Sequence, residues 1–138
     1  MAEMGVTLLN RRLSDQEVGD ALLRYDALVA SHIEASQSGV VAAALGAGLP
    51  CVVTPVGGLI EQIADGETGI VAEDATASGL STAVRRLFFT PDLYSKICST
   101  IALRRDQRSM SRFLAECIRV AAGTVADKAA LPSRLRTA

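Results

Sequence analysis

The sequence predicts an α/β fold in which helices cover both faces of a parallel sheet, giving three layers. Three observations support this prediction. Short apolar runs alternate with helical patterns, the runs at residues 27–30 and 51–53 have no polar face, and the connections between elements are short. Apolar runs of this kind are typical of strands that helices cover on both sides of a parallel sheet.

The first part of the chain predicts a strand, a helix and a second strand. Residues 6–9 form an apolar run that enters abruptly, so we predict a strand here and expect the domain to be truncated on its N-terminal side. Ser14 and Glu17 have the spacing of a capping box, which predicts a helix ending near residue 25. The apolar run at residues 27–30 is the next predicted strand.

The middle of the chain continues the alternation. Small residues predict a helix from Ser38 to residue 47, and Gly48 supplies its end. Residues 51–53 form a predicted strand, and Gly57 and Gly58 form a turn before a short helix. A brief strand at residues 70–71 follows the Asp-Gly-Glu-Thr-Gly segment, which we interpret as a turn without a chemical role.

The last part of the chain predicts helices. Apolar residues at Leu80, Val84 and Leu87 form one stripe of an amphipathic helix. Pro91 and Asp92 have the residue types of a helix start, with Pro91 in the first helical position. Residues 110–121 form another apolar stripe, and we expect a frayed tail after it.

Composition excludes several classes of function. The 138 residues carry a net charge of −1 and are 49% hydrophobic, which predicts one domain with a proper core. From residue 104 onward the chain is locally basic, and a solvated helix face is the simplest explanation. Aromatic residues make up 4% and tryptophan is absent, so we predict no nucleic-acid binding. Three separated cysteines in apolar patterns indicate buried thiols in a reducing compartment.

The sequence predicts a cytoplasmic location. It has no signal-peptide pattern and no apolar run of membrane-spanning length. The basic segment at residues 104–119 is the candidate for peripheral contact with the inner face of a membrane. The apolar stripe at residues 110–121 is the candidate for pairing between two copies of the chain.

Five short motifs follow one another in an order that is typical of one enzyme family. They are a glutamate with a small-residue helix start, a Gly-Leu-Pro segment before a strand, a Val-Gly-Gly turn, a further glutamate and an Asp-Gly-x-Thr-Gly turn. The residues concerned are Glu34 to Val40, Ala47 to Thr54, Val56 to Gly58, Glu61 and Asp65 to Gly69. Over residues 25–87 the chain resembles the carboxy-terminal, donor-binding domain of retaining glycosyltransferases of family 4, which have the GT-B fold.

The resemblance implies that the chain is part of a longer, hexosyltransferase-like enzyme. Residues 1–122 would form a Rossmann-like nucleotide-sugar-binding domain, truncated on its N-terminal side, and residues 123–138 a frayed tail. An N-terminal domain of the same full-length protein would bind the acceptor, so the isolated chain would be inactive. The substrate would be a nucleotide sugar, and we expect neither a cofactor nor a metal.

The resemblance also implies which residues act. Glu34 matches, with an offset of one position, the glutamate that faces the donor sugar, and it is the candidate catalytic residue. The start of the helix would direct backbone amides at the donor phosphates. The candidate donor-binding residues are Ser36, Gln37, Ser38, Gly39, Val40, Thr54, Gly57, Gly58 and Glu61.

Simpler interpretations of these residues stay open. Ser36 or Ser38 could only cap the helix, and the glycine pair could only form a tight turn. Glu34 could be an exposed loop residue, and Glu61 could only complement the positive end of its helix. His32, the sole histidine, is better explained as a packed or rim residue than as a base.

The chain departs from the family pattern at one important position. The family has two glutamates eight positions apart, and their positions fall at Ala35 and Ala43 in this sequence, so Glu34 stands one position before the first and the second, which holds the ribose in the family, is missing. The family's phosphate-binding Arg and Lys come from a segment upstream of the resemblance. A non-catalytic nucleotide-binding module and an assembly module that uses its basic segment are therefore the alternatives to an enzyme.

Overall fold

The computed structural model describes residues 5–107 and 118–119. The chain divides into two compact units, Met1–Ile101 and Ala102–Ala138, and the sheet lies in the first unit. In the second unit, residues 102–107 and 118–119 are helical, and Leu103 and Ile118 are exposed. The rest of the helix predicted at residues 110–121, and the predicted boundary between residues 122 and 123, lie outside the described residues.

Helices and strands alternate from residue 15 to residue 89, and a further helix follows, as the sequence predicts. In chain order the elements are α1 (Asp15–Arg24), β1 (Leu28–Ala30), α2 (Gly39–Ala47), β2 (Cys51–Val53), α3 (Leu59–Gln62), β3 (Gly69–Val71), α4 (Ala77–Phe89) and α5 (Leu93–Gln107).

The three strands form one parallel sheet in the order β1-β2-β3. Leu28 pairs with Cys51, and Cys51 pairs with Gly69. A Cβ atom at Gly69 would overlap the backbone of Cys51, so this pairing requires glycine. The α/β class with a parallel sheet is confirmed.

Two apolar clusters lie on opposite faces of the sheet. On one face Cys51 and Val53 pack with residues of α2 and α3, including Val41 and Leu59. On the other face Val52 packs with residues of α4 and α5. Successive side chains of a strand point to opposite faces, so β2, which is buried throughout, separates the two clusters. This arrangement gives the three predicted layers.

The prediction that β1 is buried on both faces is wrong. Val29 is 47% exposed, although Ala30 is buried. The reason is the position of β1 at the edge of the three-stranded sheet, because α4 packs on β2 and β3. The apolar run thus identified the strand correctly but not the coverage of its second face.

The strand predicted at residues 6–9 is also absent from the described structure. These residues form no strand, and the side chains of Val6, Leu8 and Leu9 are exposed. An apolar run becomes a strand only when a neighbouring strand accepts its hydrogen bonds and packs against its side chains. No strand among the described residues pairs with this segment.

The predicted ends of α1 and α2 are confirmed, whereas α3 ends at Gln62, before the predicted end at residues 65–66, and α5 starts later than predicted. Ser14 and Glu17 form the predicted capping box, and Gly48 ends α2 with a left-handed φ of 88°. However, α5 begins at Leu93, so the prediction that Pro91 occupies the first helical position is wrong. Asp92 has a φ of 60°, which is incompatible with a right-handed helix, and it therefore delays the helix start.

The described cysteines are free thiols. Cys51 is fully buried, and burial raises the pKa of its thiol to about 12, so it stays protonated and unreactive at neutral pH. Cys98 is half-buried. Cys117 lies outside the described residues.

Candidate functional site

Two loops at the carboxyl ends of neighbouring strands contact each other through their backbones. Ala35 and Ser36 lie between β1 and α2, and Gly57 and Gly58 lie between β2 and α3. The Gly58 amide donates to the Ala35 carbonyl at 3.1 Å. Cβ atoms at Gly57 and Gly58 would overlap the carbonyl oxygens of Ala35 and Ser36, respectively. The close approach of the two loops therefore requires glycine at both positions.

Thr54 is a buried residue at the end of β2 that hydrogen-bonds to the segment following β1. Its side chain is 1% exposed, and its hydroxyl donates to the His32 carbonyl at 2.6 Å. Its amide donates to the Ala30 carbonyl at 3.2 Å. In this structure Thr54 holds the end of β1 in place, and its hydroxyl is already engaged with the backbone.

Ser38 caps α2 and is held by a residue that lies far away in the sequence. The Ser38 hydroxyl accepts a hydrogen bond from the Val41 amide at 3.4 Å. The Ser38 amide donates to Gln62 Oε1 at 2.9 Å, and Gln62 Nε2 donates to the Ser38 carbonyl at 3.2 Å. Both peptide groups of Ser38 are thus fixed by one side chain, and Ser38 itself is buried.

The sequence analysis did not identify Gln62. A signal was nevertheless present, because Gln62 lies between Ile60 and Ile63 on a short helix whose Leu59 is fully buried. A glutamine one turn after a buried leucine lies on the same face of the helix. Such an inward-facing amide needs hydrogen-bond partners, and Ser38 provides them.

The first two amides of α2 point away from the helix body and have no acceptor within it. They belong to Gly39 and Val40, which are both exposed residues. Helix geometry leaves the amides of the first turn without intrahelical partners. Because Ser38 uses its own amide on Gln62, the amides of Gly39 and Val40 are the ones that can meet a ligand.

An open cleft lies at this helix start. It has a volume of about 620 Å³ between α1 and the beginning of α2. Val18, Gly19 and Leu22 of α1 form part of its lining. The residues of the other side are His32, Gln37, Ser38, Gly39, Val40 and Ala43. The lining includes one carboxylate, Asp15, and no lysine or arginine.

The predicted site residues form two groups in the structure. Glu34, Ser36, Gln37 and Glu61 are exposed, as are Gly39 and Val40, so a ligand can reach them. The second group supports the loops and consists of Ser38 and Thr54, which are buried, Gly58, which is half-buried, and Gly57, which is exposed. The structure brings the two strand-end loops together, and Gln62 connects them to the helix that carries Glu61.

Within residues 5–107 and 118–119, no group of three or more His, Cys, Asp or Glu residues is placed to hold a metal ion. In the same part of the chain, no helix is both long and apolar enough to cross a membrane. The predicted metal independence and cellular location stay predictions.

Comparison with known proteins gives one family and one fold. The family model described as glycosyl transferases group 1 matches residues 1–89. The structure is similar to sucrose-phosphate synthase from Thermosynechococcus elongatus, with a TM-score of 0.60 and 20% sequence identity. The similarity covers 85% of this chain and 28% of that chain. No curated protein matches the sequence.

Proposed function

The chain belongs to the glycosyl transferases group 1 family, and from this premise we propose that it holds the nucleotide-sugar donor of a retaining hexosyltransferase. It is a glycosyltransferase domain whose Rossmann-like α/β fold corresponds to part of a GT-B enzyme. The donor, the retaining mechanism and the class of sugar belong to the proposal.

The start of α2 is the observation that carries the proposal. Gly39 and Val40, whose amides have no acceptor within the helix, line an open cleft, and the Ser38 cap is neutral. A helix N-terminus combines unpaired amide donors with the positive end of the helix dipole, so it attracts phosphate groups. The β1–α2 loop lies at the carboxyl end of a parallel strand, where ligands of open α/β sheets bind.

The exposed residues have separate roles in the proposed transfer. A retaining transfer builds positive charge on the sugar ring and negative charge on the leaving diphosphate. Glu34 faces the ring and stabilises its positive charge, while the amides of Gly39 and Val40 stabilise the diphosphate. Ser36 and Gln37 donate hydrogen bonds to phosphate or sugar, and Glu61 contacts the nucleoside.

Transfer requires a second domain under this proposal. The chain spans 28% of the length of the sucrose-phosphate synthase to which it is similar. The acceptor binds an N-terminal domain of the same full-length protein, and the reaction takes place when the two halves close on each other. The isolated chain binds the donor weakly and transfers no sugar.

Removing one amide donor from the helix start tests the proposal. Gly39→Pro deletes the amide at the first helical position, where proline is compatible with the helix. We expect uridine diphosphate to shift the amide resonances of residues 39 and 40 in the parent chain. In Gly39→Pro we expect affinity to fall about tenfold, because a hydrogen bond to a charged group is lost.

Ala77→Pro is the matched control, since Ala77 occupies the first position of α4. It should leave affinity for uridine diphosphate unchanged. Resonance shifts that cluster at residues 104–119 instead would assign anion binding to the basic segment and contradict the proposal.

A non-catalytic nucleotide-binding module is the second candidate. Ala43 favours it, because Ala43 lines the cleft at the position where the family has its second glutamate. The two candidates differ once the N-terminal half is supplied. Donor binding with turnover supports the enzyme, whereas binding without turnover supports the module.

A further inference from the structure

We propose that Gln62 is a positioning residue that fixes the start of α2 for an anionic ligand without adding charge to it. The inference rests on the proposed function and assigns a role to a residue outside the predicted site. The side-chain amide of Gln62 accepts from the Ser38 amide at 2.9 Å and donates to the Ser38 carbonyl at 3.2 Å.

The two hydrogen bonds engage the two peptide groups that flank the Cα atom of Ser38. The Gln62 amide pairs with this residue as a neighbouring backbone would, across 24 positions of sequence. Both bonds are part-buried, so water does not readily replace them. They hold the residue whose carbonyl and hydroxyl begin the hydrogen bonding of α2.

The neutrality of Gln62 matters as much as its geometry. A glutamate at this position would accept from the Ser38 amide but could not donate to the Ser38 carbonyl. It would also place a negative charge beside the positive end of α2, where it would compete with a phosphate. A methionine has a similar length and would remove both hydrogen bonds without adding charge.

The experiment uses the 138-residue chain, uridine diphosphate as the probe and the variants Gln62→Met and Gln62→Glu. Gln16→Met and Gln16→Glu are matched controls, because Gln16 lies on α1 and its side chain bonds only to Asp20 among the described contacts. Amide resonances give the dissociation constant for each variant. Hydrogen exchange of the Ser38 amide reports whether its hydrogen bond to Gln62 is present, and urea unfolding reports global stability.

We expect Gln62→Met to weaken uridine diphosphate binding about fivefold and Gln62→Glu about tenfold or more. Exchange of the Ser38 amide should accelerate in Gln62→Met, while the Gln16 variants should match the parent chain. A purely structural role would lower the urea midpoint without changing the dissociation constant of the folded protein.

Two other outcomes overturn the inference alone, and a third overturns the proposed function as well. If the parent chain binds the probe at residues 39 and 40 and both Gln62 variants bind it equally well, the inference is wrong and the proposed function stands. If both variants fail to fold, Gln62 is a general stability residue and the inference is also wrong. If the parent chain shows no binding at residues 39 and 40, the proposed function fails, and the role of Gln62 toward a ligand fails with it.

Discussion

Two strand-to-helix junctions in this molecule are built alike but differ in charge. Ser38 caps α2 after β1, and Thr76 caps α4 after β3. In each case the amide of the cap residue donates to a side-chain oxygen at 2.9 Å. That oxygen belongs to the neutral Gln62 at α2 and to the carboxylate of Asp74 at α4.

The difference is that only the α4 junction has a carboxylate of the chain itself bonded to its cap residue. Asp74 also accepts from the Thr76 hydroxyl at 2.6 Å and lies close to Gly79 in the first turn of α4. The chain therefore places its own negative charge at the positive end of that helix. At α2 the first turn contains no acidic residue and the cap is a neutral serine, and the one carboxylate that lines the adjoining cleft, Asp15, belongs to α1.

The largest expected effect is a loss of stability from a substitution that disrupts the backbone contact beside the α2 junction. Gly58→Ala places a Cβ atom on the Ser36 carbonyl, so one loop must move, and we expect a loss of about 2–3 kcal/mol in unfolding free energy. Gly46→Ala is the control, because Gly46 lies within α2 with open space around it. It should gain about 0.5–1 kcal/mol. Urea unfolding measures both, and equal effects would refute the backbone contact.

Transplanting the charge of one junction to the other is expected to have the next largest effect. Ser36 lies two residues before the cap of α2, as Asp74 does before the cap of α4. Ser36→Asp should weaken uridine diphosphate binding about tenfold through like-charge repulsion. Ser81→Asp adds the same charge at an exposed position of α4 and should have no effect. Unchanged affinity in Ser36→Asp would show that the phosphates bind elsewhere.

Removal of the cap hydroxyls should have smaller and unequal effects. Ser38→Ala should cost about 0.5–1 kcal/mol, because Gln62 continues to hold the backbone of residue 38. Thr76→Ala should cost about 1–2 kcal/mol, because it also removes the hydroxyl that donates to Asp74. Urea unfolding measures the loss of unfolding free energy in each variant. A larger loss in Ser38→Ala than in Thr76→Ala would contradict the proposal that Gln62 holds the backbone of residue 38.

The smallest expected effect is a pH dependence at the α4 junction. The Thr76 hydroxyl and then the Thr76 amide lower the pKa of Asp74 below its ordinary value of 3.8. This interaction therefore stabilises the fold above about pH 3.8 and is lost as the pH falls through the lowered value. Thr76→Val should raise the pKa of Asp74 toward 3.8, whereas Thr76→Ser should retain the shift. Carboxyl NMR titration tests this, and equal pKa values in the two variants would rule out the hydroxyl as the main cause.

The sequence predicted those parts of the fold that depend on neighbours within a few positions. The capping box of Ser14 and Glu17, the end of α2 at Gly48 and the strand Cys51–Val53 were all predicted correctly. Each rests on a local hydrogen bond, a local backbone angle or a short apolar run. The start of α5 was predicted wrongly, because residue types do not reveal that Asp92 adopts a left-handed conformation.

The candidate site was predicted in outline. The exposed loop with Glu34 and Gln37 and the helix start at Gly39 follow from motifs and spacing. The sequence could not show whether Gly57 and Gly58 form only a tight turn or also contact a ligand. These positions require glycine because the backbone of Ala35 and Ser36, in another loop, lies against them. Whether these residues bind a donor stays a prediction.

What the sequence by itself determined is thus the family, the order of the elements from α1 to α5 and the caps of α1 and α2. The tertiary structure alone decided which faces are covered and which side chains meet, as in the exposure of Val29 and the pairing of Gln62 with Ser38. The physical reason is distance along the chain. Propensities and caps act over a few residues, whereas burial and long-range hydrogen bonds depend on elements that only folding brings together.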